Sequence, residues 1–434
     1  MEIGCSKHVL GNGLEVLIHE DRGSPIVAVN LWYHAGSKNE QPGRTGFAHL
    51  FEHLMFEGSA HYDRSYFHPL QRAGAVLNGS TNADRTNYWE VVPAGALELA
   101  LWMESDRMGH LLPALTEAKF ANQRDVVLNE RRQNYENRPY GLAPMALLAA
   151  LFPPDHPYHW ATIGSAEDLG AARLEEVRDF FVRFYHPANA SLALAGDVDR
   201  DAALALAERY FGDIPPGPHV EPISRDASLA GEARLVLEDA VELPRLYLAW
   251  HSPAIFAPGD AEMDLVAEAL AEMKISRLYR RLIFDGRLAT DVSAAQQSRE
   301  LSGFFQVVAT ASPGHALGEL DAVVQEEIAR LAAEGPDADE LERGHAQAEA
   351  QFVFRLQTVG GFGGKSDQLN QYNVFLRDPA FLLRDLERYR RATAEGVREA
   401  AERVLVKAPR VALSVVPKGR VDLALPGSAR VVCS

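Results

Sequence analysis

Cysteine is nearly absent from this chain. Its 434 residues include only Cys5 and Cys433, one near each end. That excludes a disulfide framework and a cysteine-ligated zinc site, so any metal has to be held by histidines and carboxylates. No stretch approaches about 18 uninterrupted apolar residues, and a membrane span is not expected. Basic residues are also scarce: 43 Lys and Arg face 60 Asp and Glu, a net charge of −17. Such a surface disfavours nucleic acid or an anionic membrane as partner and tolerates neutral or basic peptides. Met1 to His8 contain no basic segment followed by an apolar run, so no signal peptide is expected there. The cytoplasm is the expected compartment, with the periplasm as the alternative had a signal peptide been removed.

What is present is the composition of a soluble globular protein, 47% hydrophobic and 24% charged. The length suggests roughly two to four domains. The most informative stretch runs from Gly46 to Gly58. Phe47, Leu50 and Leu54 recur at helical spacing with no proline between, which predicts a buried helix. His49 and His53 stand four apart, so their imidazoles project from one face roughly 6 Å apart, within reach of one metal ion. Glu52 lies on that same face. A carboxylate beside a two-histidine metal site is placed to take a proton from metal-bound water.

The order His-x-x-Glu-His is the inverzincin arrangement. On it the chain resembles the pitrilysin/insulinase family of zinc metallopeptidases, which includes the mitochondrial processing peptidase, and in particular its bacterial processing-peptidase-like branch. The resemblance implies an α+β fold of two homologous halves, each a mainly antiparallel sheet covered by helices, together forming half of a clamshell. It implies one Zn2+ per chain, held by His49, His53 and a downstream glutamate. Glu130, 77 residues after His53, matches that glutamate; read alone, it would be a solvated helix residue or a partner of Arg131. Glu52 is then the catalytic base. Many family members carry a second supporting carboxylate two turns before the third ligand; here Gln123 stands at that position, bringing a hydrogen bond without charge. The strand at Asn78, Gly79, Ser80 and Thr81 corresponds to the edge that pairs with extended substrate.

Local pattern predicts the elements around these residues. Val9 to Ile18 reads as a hairpin about Asn12-Gly13, Ile26 to Tyr33 as a strand, and Val76 to Pro93 as two strands turning near Asn82 to Arg85. Helices are predicted over Ala94 to Leu112 and Thr116 to Arg138, and a strand closes the half before Asp197. Four prolines between Ile214 and Pro222 preclude helix or central strand, which divides the chain into 1–214, a linker 215–232, and 233–434. The second part repeats the order coarsely, with strands at Ala233 to Glu238 and Arg245 to Trp250, a helix from Asp260 to Phe284, and strands near Phe304 to Ala309 and Arg410 to Val416. Gly360 to Ser366 resembles a phosphate-binding loop but lacks its first glycine and its preceding strand, and reads as a flexible linker.

In active single-chain members of the family, the second half supplies an Arg and, seven residues on, a Tyr that bind the substrate carbonyl and the oxyanion. Register from Ser276-Arg277-Leu278-Tyr279 places Ile283 and Thr290 at those positions, so both groups are missing unless a change of register brings in Arg280, Arg281 or Arg287. Losing one oxyanion donor costs about 100- to 1000-fold in rate. The expectation is therefore a zinc metalloendopeptidase that cleaves extended peptides in an enclosed chamber and pairs with a homologous subunit carrying the Arg and Tyr. A homodimer is the alternative assembly. The alternative function is a catalytically inactive assembly subunit, like the core proteins of respiratory complexes.

Overall fold

A computed structural model of the chain describes residues 3–432; Cys433 lies outside them. Among the described residues twelve strands form two six-stranded sheets. The first contains β1 (Ser6–Val9), β2 (Glu15–Glu20), β3 (Ile26–Tyr33), β4 (Val76–Thr81), β5 (Thr86–Pro93) and β6 (Ala190–Gly196). The second contains β7 (Ala233–Asp239), β8 (Arg245–Ser252), β9 (Ala289–Gln297), β10 (Gly303–Ala311), β11 (Val411–Pro417) and β12 (Ala429–Arg430). The helices used below are α1 (Phe47–Leu54), α2 (Leu97–Ala114), α3 (Glu117–Arg131), α4 (Ala143–Leu151), α5 (Asp260–Ala267) and α6 (Lys365–Leu376).

The strand orders are β1-β2-β6-β3-β5-β4 and β12-β7-β11-β8-β10-β9. In each sheet the pairing is mainly antiparallel, and the chain's closing strand runs parallel to an early one: β6 to β2, and β11 to β7. Five strands of each sheet thus repeat one topology, and the sixth differs: β1 opens its half and runs antiparallel to β2, while β12 ends its half and runs parallel to β7. The helix after the first antiparallel strands is α1 in one half and α5 in the other. Where α1 carries two histidines and a glutamate, α5 buries Met263, Leu265 and Val266.

The chain packs as two compact units that exchange segments along the sequence. One comprises 1–129, 162–222 and 351–385; the other comprises 130–161, 223–350 and 386–434. α6, late in the chain, therefore lies on the first sheet, against β2, β3 and β6, while α4, early in the chain, lies on the second, against β7, β8 and β11. No helix or strand occurs between 215 and 232.

Each sheet is a two-sided device built by alternation. In β3, Val29, Leu31 and Tyr33 are fully buried, while Asn30 and Trp32 on the opposite face are tied to α6. Asp367 accepts hydrogen bonds from Trp32 Nε1 at 2.9 Å and from the Asn30 and Asn87 amides at 3.3 Å. Asn370 donates to the Asn30 carbonyl at 2.8 Å. The glycine run before α6 is not a free linker. A Cβ on Gly360 would stand 2.6 Å from Ala28 Cβ and from Val91 Cγ2, so the absence of a side chain lets the backbone press onto β3 and β5.

Three local expectations change. In the β1–β2 turn only Gly13 takes positive φ, at 89°; the Asn12 side chain is spent on the Phe211 and Ile214 carbonyls. The helix foreseen over Asp260 to Phe284 breaks after Glu272 and resumes at Tyr279, with the Ser276 hydroxyl closing a turn on Met273. Ala289 to Gln297 is a strand that the polar, alanine-rich sequence hid, stabilised by pairing with β10 that is interrupted only by a register shift at Thr310/Ala311.

Candidate functional site

α1 is fixed at its start by two carboxylates, Glu40 buried and Asp168 half-buried. Gly46 precedes the helix at φ 90°, where a Cβ would meet the Ile163 carbonyl and the Leu169 side chain at 2.9 Å. Glu40 caps the first turn, accepting from Gly46 N at 3.0 Å and Ala48 N at 2.8 Å. A negative group at a helix N-terminus satisfies orphan N–H groups and complements the positive end of the helix dipole. Thr45 is held by Asp168 through its N–H at 3.0 Å and its hydroxyl at 2.6 Å. The apolar stripe of Phe47, Leu50, Phe51 and Leu54 is then buried, with Phe51 stacked 5.3 Å from Phe181. What remains on the half-buried side is His49, Glu52 and His53.

The His49 and His53 rings lie 4.9 Å apart, centroid to centroid, at 88°. Glu130 joins them: one ligand atom from each of His49, His53 and Glu130 falls within 4.8 Å of the others. Glu130 occupies the last turn of α3. Two imidazoles and one carboxylate at this separation fit a tetrahedral zinc with one open position. Asn134, one turn on, donates to Glu130 Oε1 at 3.4 Å.

Gln123 is buried and donates through its amide to Glu57 Oε1 at 2.5 Å. Gln123 thus ties α3 to Glu57, three residues beyond α1. A chain reading could not pair these two, which are 66 residues apart.

Asn78, Gly79, Ser80 and Thr81 lie on β4, the end strand of the first sheet, paired on one side with β5. α1 packs against both strands. Arg85, at the β4–β5 turn, was not singled out by sequence. Its guanidinium donates to the Ser80 carbonyl at 2.9 Å and to the Ser80 hydroxyl at 2.6 Å, and lies 5.1 Å from the Trp32 ring. Burial pulls its pKa down, and the charges of Asp367, Glu52 and Asp84 oppose that pull. Arg85 therefore links the sheet edge electrostatically to the carboxylate of α1.

Behind β5 a buried ionic cluster supports the segment after α1. Arg107 is clasped by Glu104, with Nε 2.9 Å from Oε2, and lies 4.0 and 4.1 Å from the Tyr66 and Tyr88 rings. Burial, with Glu104 alongside, holds the Glu90 carboxyl well above the usual range. A neutral acid beside that pair avoids a second buried charge.

In the second unit, Ile283 is packed against the hydrophobic core, and Thr290 is exposed at the start of β9 with its hydroxyl on Asp291 and the Thr310 carbonyl. Arg281 is engaged by Glu326 at 2.6 Å and Glu327 at 2.8 Å.

Residues 15–156 match the family model described as Insulinase (Peptidase family M16), and residues 171–348 match Peptidase M16 inactive domain. An uncharacterised zinc protease of Mycobacterium bovis is 30% identical over 311 residues, covering 70% of this chain and 69% of that protein. This chain belongs to the M16 peptidase family. The zinc protease PqqE of Helicobacter pylori is 26% identical over 375 residues, covering 84% and 83% of the two chains. The crystal structure of a protease from Helicobacter pylori has the same fold, with a TM-score of 0.88 at 23% identity, covering 96% of this chain and 100% of that one. Within this M16 chain, His49, Glu52, His53 and Glu130 all lie in the segment matched as Insulinase, and the segment matched as inactive domain contains none of them. Among the described residues no helix is long and apolar enough to cross a membrane.

Proposed function

We propose that this M16 chain is a zinc metalloendopeptidase that hydrolyses peptides bound in extended form. The observation that carries the reading is the convergence of His49, His53 and Glu130 within 4.8 Å, with Glu52 on the same half-buried side of α1.

His49 and His53, neutral, and the Glu130 carboxylate would hold the ion. When bound, zinc supplies Lewis-acid polarisation of the scissile carbonyl and acidifies water. Glu52 takes the proton of the attacking water and returns it to the leaving nitrogen as the C–N bond breaks. The β4 edge offers main-chain groups at Asn78 to Thr81 that align an extended peptide as an added strand, with little reading of side chains. Arg85 holds that edge at Ser80.

The chain's electrophilic support is incomplete, since Ile283 and Thr290 occupy the positions where relatives of the resembled type place Arg and Tyr. A homologous subunit supplying those groups completes the site, which makes this chain the zinc-bearing member of a heterodimer. The assembly-subunit alternative gives no reason for three ligands and a base to converge.

Protein purified without chelator should carry one tightly held zinc, measured by elemental analysis, that is lost in His53→Ala. Unchanged zinc content in that variant would overturn the assignment.

A further inference from the structure

A second set of ligating side chains converges away from α1. His61, Asp106 and His110 each bring one ligand atom within 4.8 Å of the others. Asp106 and His110 stand four apart on α2 and so share a face, with Trp102 a turn earlier. The loop 59–62 is laid along that stripe. Tyr62 packs edge-on to Trp102 at 6.5 Å, the Ser59 hydroxyl donates to Asp106 Oδ2, and Ala60 N donates to the His110 carbonyl at 2.9 Å. His61 Nδ1 lies 2.5 Å from Asp106 Oδ1, and the His61 and His110 rings are 4.7 Å apart.

Burial is divided in the way a metal site needs. The Asp106 side chain is 3% exposed and anchored, whereas that of His61 is 59% exposed and His110 is also exposed. A hydrogen bond between His61 and Asp106 accounts for one imidazole. It gives no reason for the second to close on the same point, at the residue where α2 leaves helical geometry (φ −134°, ψ 22°).

We propose that His61, Asp106 and His110 form a second metal site for a late first-row divalent ion, zinc above all. Two imidazole nitrogens and one carboxylate oxygen suit such an ion, with solvent completing the shell. Its role is structural: it pins loop 59–62, which follows α1, onto α2. Because two of its ligands are exposed, it binds more weakly than the α1 centre, and its occupancy follows zinc concentration. The inference stands independently of the peptidase reading.

The test is calorimetric titration of chelator-treated protein with zinc chloride, alongside thermal unfolding. The unmodified chain should take up two equivalents, His110→Ala and His61→Ala one each, and the second equivalent should raise Tm only where both histidines are present. A His49→Ala/His53→Ala chain, folded by circular dichroism, should still bind one equivalent and lose it when His110→Ala is added. A single equivalent in the unmodified chain, or a second one indifferent to His61→Ala and His110→Ala, would overturn the proposal. Failure of the α1 assignment reads differently: zinc unchanged in His53→Ala, with the His110→Ala effect intact.

Discussion

Glu52 shows how one residue is legible when its chemistry is local. His49, Glu52 and His53 fall within a single helix, so spacing alone puts them on one side. Glu52→Gln should keep zinc yet lower peptide hydrolysis by about 10²- to 10⁴-fold, read by steady-state assay beside elemental analysis; full activity would remove the base assignment. Glu40, Glu57, Arg85 and Asn134 were not legible. Each acts through a partner reached by folding or through a turn whose course the sequence left open, and a lone charged residue in a chain most often reads as solvated surface. Glu268 belongs to the same class. Burial, with Glu272 alongside, pushes its carboxyl up from 4.5 to about 7. The folded state therefore holds a proton that the unfolded chain has released between these values, so this stabilisation is complete below pH 4.5 and is lost as pH rises through about 7. Glu268→Gln should flatten the fall in Tm across that window and unfold later than the parent above it. An unchanged slope would mean that the carboxyl is ionised in the fold.

At the scale of elements, strands with β-branched or aromatic alternation were readable to within a residue or two, as β3, β4 and β5 show. β9 was not, because both of its faces mix small or apolar residues with polar ones, leaving no clear alternation, and its stability comes from the β10 ladder. The Asp260–Phe284 helix was over-extended for the complementary reason: good helix formers there are overruled by the Ser276 turn. α1 depends on its entry, where Gly46 has no room for a side chain at φ 90°. Gly46→Ala should destabilise the chain by roughly 1–3 kcal/mol and weaken zinc retention, measured by denaturant unfolding and by competition with a chelator. A parental unfolding midpoint would show that the entry can relax. If β4 pairs with substrate as an added strand, N-methylation of a peptide's backbone beside the scissile bond should abolish cleavage, while side-chain changes there should cost little. The reverse pattern would mean that side chains, not main-chain groups, carry recognition.

For the whole molecule, the duplicated plan was visible as a coarse repetition, and the matched strand orders give it its physical form. What the chain order could not reveal is that α4 and α6 serve the sheet of the other half, since neither helix carries a local mark of its destination. The partner expectation belongs at this scale. This chain alone should hydrolyse peptides slowly, and mixing with a homologous chain that carries the Arg and Tyr should raise the rate about 100-fold or more; a full rate without partner would end the split-site idea. The exchanged helices also bear on how such a protein can be taken apart. A cut in the proline-rich stretch near residue 222 would not release two autonomous pieces, because each would leave with a sheet missing its borrowed helix and keep one meant for its sibling. Expressed singly, the fragments should aggregate; expressed together, they should reassemble by trading α4 for α6. Duplication followed by such a trade turns two domains into one inseparable chain.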